Sequence, residues 1–133
     1  MSGETDLKTL FSNLKVRKSE ALYVFVSYAP EAVPENLPVL MRFEEKEGTT
    51  LIVTKSVAEQ HNLPYEFESY CLTLDIHSSL EAVGFMARIA SLLAKAQIPV
   101  NPVAGFYHDH LFIPAKKADK AVSILEALAD NGS

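Results

Sequence analysis

The chain has 133 residues, of which 48% are hydrophobic and 22% are charged, the composition of an ordinary globular protein. This length fits one compact domain or two small repeats and excludes two full-sized enzyme domains. The net charge is -5 and no local basic patch reverses its sign, which disfavours attraction to phosphate backbones or anionic lipids. We therefore expect neither a nucleic-acid partner nor a membrane partner.

Cysteine content and the first residues indicate the compartment. Cys71 is the single cysteine, so no internal disulfide can form, as is usual in a reducing cytoplasm. Residues 1–6 are acidic and polar, whereas a secretory signal begins basic and continues apolar. No apolar run approaches the roughly 18 residues of a membrane span. These features predict a cytoplasmic protein.

The first half of the chain predicts a short helix followed by β-loop-β-β-α. Thr5 or Asp6 can cap the helix, because either side chain can accept a hydrogen bond from a free amide at its start. Prolines break regular structure in the loop, and Gly48 permits a tight turn between two strands. The predicted elements are a helix at 5–14, a strand at 21–28, a loop at 29–38, hairpin strands at 39–45 and 49–54, and a helix at 56–61.

The second half predicts β-α-β-β-α. Its first strand alternates in polarity and places Asp75 and His77 on the same face. The last helix is amphipathic and is expected to end at Asn131 and Gly132. The predicted elements are a strand at 68–77, a helix that begins at 78 or 79 and ends at 96, hairpin strands at 101–107 and 110–113, and a final helix that begins at 118.

The long helix of the second half is unusually apolar. Ser78 or Ser79 is expected to cap it. Its only charges, Glu81, Arg88 and Lys95, are spaced by seven and predict one narrow solvated stripe. We therefore expect its other faces to be covered by another helix or by a partner subunit.

The two halves share the same order of elements, with the first helix of the first copy reduced to a proline-rich loop. This order predicts an internal repeat, with domains at 1–66 and 67–133. The predicted fold class is α+β, with antiparallel sheets and helices packed on one face. Each copy lacks a closing fourth strand, so we expect strands of one copy to complete the sheet of the other.

The β-α-β-β-α order resembles the ACT domain, a small regulatory module that binds amino acids. The segments at 42–51, 77–84 and 107–112 look like a bacterial family of small, stand-alone tandem ACT-like proteins. Together with Asn101 the likeness spans nearly the whole chain. A related arrangement occurs in the regulatory domains of aspartate kinases.

The resemblance implies two ferredoxin-like repeats of the βαββαβ type, the first of them degenerate. It also implies a small-molecule ligand, an amino acid, at the junction between ACT units, and no cofactor. In ACT domains the ligand usually lies at the loop after the first strand, which corresponds to 75–84 here. The usual Asp-x-Pro-Gly of that loop is replaced by Asp-Ile-His-Ser-Ser at 75–79, with the glycine delayed to Gly84. The identity of the ligand is therefore not implied.

The candidate ligand-binding residues lie in this loop, at the start of the next strand and in the last hairpin. They are Asp75, His77, Ser78, Ser79, Leu80, Val83, Gly84, Asn101, His108, Asp109 and His110. Free amides at a helix N-terminus attract a carboxylate, which gives the loop a physical basis for binding. Alternatively, Ser78 and Ser79 only cap the helix, and Asn101 is an ordinary turn residue.

The triplet His108, Asp109 and His110 is the densest group of reactive side chains. The two histidines are predicted on one strand face, as metal ligands would be, but a third or fourth ligand is not apparent. We therefore predict no metal, and favour mutual hydrogen bonds in the hairpin or contact with the ligand. No nucleophile and base pair and no glycine-rich phosphate loop stands out, so no catalytic residue is predicted.

The predicted function is a non-catalytic sensor that binds an amino acid and signals to a partner. The partner is expected to be a second copy, as a homodimer or other homo-oligomer, or a protein of amino-acid metabolism. Two alternatives remain open, a small enzyme or metal site that uses the His-Asp-His hairpin, and a ligand-free assembly subunit linked to amino-acid metabolism or transport. Because prolines replace the first copy's helix, we expect its loop site to be degenerate.

Overall fold

The computed structural model describes residues 6–130. Its helices are α1 (Leu7–Ser12), α2 (Lys55–Gln60), α3 (Phe85–Lys95) and α4 (Ala118–Asp130). Its strands are β1 (Val16–Tyr28), β2 (Met41–Glu44), β3 (Thr49–Thr54), β4 (Glu66–Leu74), β5 (Asn101–Ala104) and β6 (Asp109–Pro114). The α+β class is confirmed. Between residues 6 and 130, no helix has both the length and the apolar character needed to cross a bilayer.

The chain forms two compact units, which we call the inserted unit (Glu20–Ser69) and the flanking unit (up to Ser19 and from Tyr70 onward). Strands β1 and β4 each begin in one unit and end in the other. The inserted unit therefore has the strand order β2-β3-β1-β4, and the flanking unit has the order β1-β4-β6-β5. Each unit obtains its fourth strand in this way. The division into sequence repeats at residue 66 stays a prediction.

The inserted unit is built on a regular antiparallel ladder. Val24 pairs with Val53 and Val26 pairs with Leu51, and these four side chains are fully or almost fully buried on one sheet face. Between β2 and β3, a Cβ on residue 48 would lie 2.8 Å from the carbonyl oxygen of Tyr28, so only glycine fits there. In place of a helix, residues 29–40 form a loop with a single 3-10 turn, as the prolines predict.

The flanking unit contains the larger core. Leu10 and Phe11 of α1 and Leu14 are buried in the same cluster as residues of β4, β6 and α4. Asp6 caps α1 by accepting a hydrogen bond from the amide of Thr9 at 3.1 Å, which confirms one of the two predicted caps. The other predicted cap, Thr5, and the predicted helix end at Asn131 and Gly132 lie outside the described residues.

Strand β4 ends at Leu74 rather than at 77, so Asp75 and His77 do not share a strand face. The chain leaves the direction of β4 at this point. The amide of Asp75 donates to the carbonyl of Lys15 at 2.6 Å, and the amide of Ile76 donates to the carbonyl of Leu74. In the last hairpin the strands stop at Ala104 and begin again at Asp109. His108 therefore lies in the turn, not on the strand.

Helix α3 begins at Phe85 and not at residue 78 or 79. The residue before it, Gly84, has a φ of 92°, a left-handed conformation that glycine adopts without steric cost, and it lacks a side chain to cap the helix. Glu81 lies in the loop, so the predicted stripe of three charges is wrong. The exposed face of α3 consists of small and charged residues, namely Ala87, Arg88, Ser91, Ala94 and Lys95. Side chains of these kinds can remain exposed to solvent. The exposed face of α3 therefore gives no evidence that the helix packs against a partner subunit.

Replacing Leu10 by alanine should destabilise the whole flanking unit. Leu10 is fully buried, and truncating a buried leucine costs about 2–5 kcal/mol, through lost burial and the cavity that remains. Urea unfolding followed by circular dichroism measures the free energy of unfolding. Lys8→Ala in the same helix is the control, since Lys8 is exposed and should change stability by no more than about 0.5 kcal/mol. Equal effects of the two variants would show that α1 is not part of this core.

Candidate functional site

The loop at 75–84 is held in shape by its own hydrogen bonds. The amide of Ala82 donates to the carbonyl of Ser79 at 3.0 Å, which closes a turn. The hydroxyl of Ser79 accepts from the amide of Glu81 at 3.0 Å. Ser79 is buried, and its hydroxyl bonds to an amide of the same loop and not to an amide of α3. The prediction that Ser79 caps a helix is therefore wrong.

Asp75 lies between the side chains of Arg17 and His108. Its Oδ2 is 3.3 Å from Nε of Arg17, and its Oδ1 is 3.5 Å from Nε2 of His108, which is charged only when protonated. Both Asp75 and Arg17 retain substantial exposure, so each pair contributes little to stability. Their main effect is to orient the start of the loop against the hairpin turn. Arg17 was not predicted, because it lies in the part of β1 that sequence analysis did not recognise as strand.

Ser78 connects the loop to β6. Its hydroxyl donates to Oδ2 of Asp109 at 3.0 Å, and the side chain is almost completely buried. A charge-assisted bond of this kind is stronger than one between neutral groups. Ser78 therefore fixes the loop on the hairpin and does not cap α3, which corrects the second predicted cap.

His110 is enclosed beside β4. Its Nδ1 shares a hydrogen bond of 3.0 Å with Oγ1 of Thr73 and lies 4.0 Å from Sγ of Cys71. Burial lowers the pKa of His110, and the neighbouring His108 lowers it further, while Asp109 opposes the shift. Burial also raises the pKa of the Cys71 thiol. Both shifts favour the neutral forms, so the pair does not resemble an activated thiolate with an imidazolium.

His77 has a buried ring nitrogen with no hydrogen-bond partner in the part of the chain that the structure describes. Its ring centre lies 5.6 Å from that of Tyr107 and 6.4 Å from that of Phe106. Both aromatic residues are more than 60% exposed, as is Leu80 in the loop, and Val83 is 84% exposed. Sequence analysis missed Phe106 and Tyr107, although two adjacent aromatic residues in a hairpin turn, where polar residues are usual, are a recognisable signal.

Asn101 does not join this group. It pairs with Phe112, whereas Ala104 pairs with Asp109 at the turn end of the same hairpin. Three residues of strand span about 10 Å, so Asn101 lies away from the hairpin turn, and its contact with a ligand at the loop stays a prediction. Gly84 closes the loop, and a Cβ there would lie 3.3 Å from the side chain of Leu7, which gives this residue a packing role.

From residue 6 to residue 130, no group of three or more histidine, cysteine, aspartate or glutamate side chains is arranged to hold a metal ion. The ring centres of His108 and His110 are 6.4 Å apart and their planes are inclined by 74°. The two rings bond to different partners, Asp75 and Thr73. Each side chain of the triplet thus contacts a residue outside it, namely Asp75, Ser78 or Thr73, and the mutual hydrogen bonds expected of the triplet stay a prediction.

Comparison with known proteins identifies the family. Two models of the ACT domain match in tandem, at residues 2–70 and 66–127. The chain belongs to the ACT-domain family. The fold expected from the resemblance, two ferredoxin-like repeats, is thereby confirmed, and the chain is a regulatory protein of the ACT type. A search of curated proteins gave no match.

Three solved structures illustrate the range of this fold. A protein of unknown function from Vibrio cholerae, described as a possible transport protein, is 33% identical, with a TM-score of 0.83 over 96% of this chain and 99% of that one. A protein from Agrobacterium tumefaciens is 15% identical, with a TM-score of 0.74 over 87% and 89%. The regulatory subunit of aspartate kinase from Thermus flavus is 10% identical, with a TM-score of 0.63 over 85% and 95%. The last two similarities concern the fold alone.

The lowered pKa of His110 predicts a loss of stability in mild acid. The unfolded chain protonates this histidine near pH 6.5, whereas the folded protein resists protonation until a lower pH. Between the pKa of His110 in the unfolded chain and its lower pKa in the folded protein, the unfolded state binds more protons. The free energy of unfolding should therefore fall as the pH decreases below about 6.5. Urea unfolding at pH values from about 5 to 7.5 measures this slope. His110→Gln should flatten it and the exposed His61→Gln should not; an unchanged slope in His110→Gln would contradict the assignment.

Proposed function

We propose that this ACT protein is a non-catalytic sensor that binds an amino acid at the loop 75–84, against the turn of the last hairpin. The observation that carries the proposal is the buried Nε2 of His77, which has no partner among the residues from 6 to 130. A buried polar atom without a hydrogen bond costs about 1–3 kcal/mol. A ligand that supplies the missing partner would recover part of this free energy on binding.

The surroundings of His77 suit a ligand with a charged end and an apolar body. Phe106, Tyr107, Leu80 and Val83 present apolar surface to solvent around the loop. Helix α3 follows directly and has no side-chain cap, so its first amides and its dipole attract a carboxylate. We propose that the ligand's carboxylate lies towards this helix start and bonds to His77.

The other predicted residues form the support for this site. Ser78 and Asp109 bond to each other, and Asp75 bonds to Arg17 and His108. These contacts fix the loop and the hairpin turn before any ligand arrives, which lowers the entropic cost of binding. Asn101 is not assigned a role, and the location of the ligand at a junction between ACT units stays a prediction.

A sensor of this kind needs a second component that responds when the ligand binds. A ligand shifts an equilibrium only by its difference in affinity for two states, and a second protein or a second copy of the chain would convert that difference into a response. We propose a homodimer or a partner protein of amino-acid metabolism in this role.

The exposed apolar residues around His77 favour one other function, a ligand-free assembly subunit. Apolar side chains exposed together are typical of protein interfaces. The Vibrio cholerae relative is described as a possible transport protein, and a subunit of a transport system would use such a surface for contact alone. The two functions differ in whether a small molecule stabilises the isolated protein.

Thermal unfolding in the presence of each of the twenty amino acids separates these functions. An amino acid at about 100 times its dissociation constant should stabilise the folded protein by about 2.7 kcal/mol. His77→Phe should abolish that effect, because phenylalanine keeps a ring beside Tyr107 and removes the bonding nitrogen. Without ligand, His77→Phe should be at least as stable as the parent protein, since it removes an unpartnered polar atom.

His61→Phe serves as the matched control, because His61 is exposed at the end of α2 and should respond to the ligand as the parent does. If no amino acid raises the unfolding temperature while oligomerisation persists, the sensor is wrong and the assembly subunit is favoured. A ligand effect that survives in His77→Phe would place the binding site elsewhere.

A further inference from the structure

The turn between β5 and β6 lies against a buried nitrogen that has no hydrogen bond. This nitrogen is Nε2 of His77, which is unpartnered among residues 6–130. The two residues at the tip of the turn, Tyr107 and Phe106, place their ring centres 5.6 Å and 6.4 Å from that of His77. A buried polar atom that loses its bond to water and gains no other raises the free energy of the folded state. The present position of the two rings therefore carries a cost.

The two rings gain little from this position in return. Phe106 is 62% exposed and Tyr107 is 63% exposed, so most of their apolar surface still contacts water. The rings contact each other edge to face, with centres 5.0 Å apart and planes inclined by 72°. If both rings moved away from His77 together, they would keep this contact and expose little further apolar surface. The same movement would admit water to Nε2. The two positions of the rings are therefore close in free energy.

The tip of the turn can move while the strands below it stay in place. Asp109, in the first position of β6, is fixed by the hydrogen bond of 3.0 Å from Ser78. The amide of Gly105 donates to the carbonyl of His108 at 2.9 Å and closes the turn. A Cβ on residue 105 would lie 3.0 Å from that same carbonyl oxygen, so a side chain there would crowd the closed turn. Gly105 thus permits the tight closure and offers a flexible point beside the tip.

We infer that Phe106 and Tyr107 form a flap, which moves about Gly105 and alternately covers and exposes Nε2 of His77. With the flap closed, as in this structure, the nitrogen is shielded from solvent. With the flap open, water or a ligand bonds to it. As the entry route for a ligand, the flap rests on the function proposed above, whereas its motion is a property of the chain alone.

The test is chemical modification of the full-length protein with diethyl pyrocarbonate at neutral pH. This reagent attaches an ethoxycarbonyl group to an imidazole nitrogen that it can reach. Mass spectrometry measures the rate at each histidine, and nitrogen NMR distinguishes an adduct on Nε2 from one on Nδ1. Nε2 of His77 should react at least about ten times more slowly than the exposed His61, because it reacts only while the flap is open.

Two variants separate the cover from the motion. The double variant Phe106→Ala, Tyr107→Ala removes the cover and should raise the rate at Nε2 of His77 at least about tenfold, to that of a freely exposed histidine. Gly105→Ala keeps both rings but crowds the closed turn, so it should raise the same rate several-fold. Phe43→Ala is the matched control, because it removes an aromatic side chain that is also 62% exposed from the other hairpin. It should leave the rate unchanged.

Each contrary result overturns the flap in a different way. If Nε2 of His77 reacts as fast as His61 in the parent protein, the rings do not cover it. If it stays unmodified after His61 has reacted completely, the flap does not open. An unchanged rate in both the double variant and Gly105→Ala would show that other residues enclose the nitrogen. Because no ligand is present, these results are independent of whether an amino acid stabilises the protein.

Discussion

The architecture depends on two strands that each serve both compact units. A βαββα repeat has three strands of its own, and here the missing fourth is provided by the continuation of the other unit's first strand. Two serine hydroxyls form hydrogen bonds at the residues where β1 and β4 pass from one unit to the other. Ser69 donates to the carbonyl of Tyr23 at 3.0 Å, and Ser19 accepts from the amide of Cys71 at 3.0 Å. The hydroxyls satisfy backbone groups that would otherwise lack partners in a buried sheet.

The same strands determine where the candidate site lies. When β4 ends at Leu74, the chain enters the loop 75–84 beside the turn of the β5–β6 hairpin. Besides local bonds to β4 and α3, four nonlocal contacts fix this loop to its surroundings: Asp75 to Lys15, to Arg17 and to His108, and Ser78 to Asp109. The site thus requires β1, β4 and the hairpin to be in place together, which is why a loop of ten residues can hold a histidine whose buried nitrogen has no partner among residues 6–130.

Local patterns predicted most of the fold, and nonlocal bonds account for most of the errors. Alternation and turn residues gave the order of elements and the β2–β3 hairpin at Gly48, because their physical causes act within a few residues. The start of α3 was misplaced because Ser78 and Ser79 resemble helix caps, yet Ser78 bonds to a residue 31 positions away. A single sequence does not display that bond. Gly84 was the available local signal, since its left-handed backbone marks the end of the loop.

The loops at 75–84 and 29–40 differ in how far the sequence could reveal their structure. The segment 75–84 was recognised through its likeness to the ACT loop, and its histidine was among the predicted residues. The path of the loop at 29–40 was not recognised, because its prolines indicate only that a helix is absent. What takes the place of the helix depends on the packing of Val33 and Leu37 over Leu51. Their spacing in the sequence does not specify that arrangement.

The position of α1 in the flanking unit has a consequence for biosynthesis. A ribosome releases the chain from the N-terminus, so Leu10 and Phe11 emerge long before the α4 residues that cover them. Lys18, near the start of β1, is likewise 101 residues from its partner Asp119 in α4. At about 5–20 residues per second, roughly 5 to 20 seconds pass between the synthesis of the two segments. During that interval the inserted unit can fold first, while the apolar face of α1 is open to chaperones or to other nascent chains.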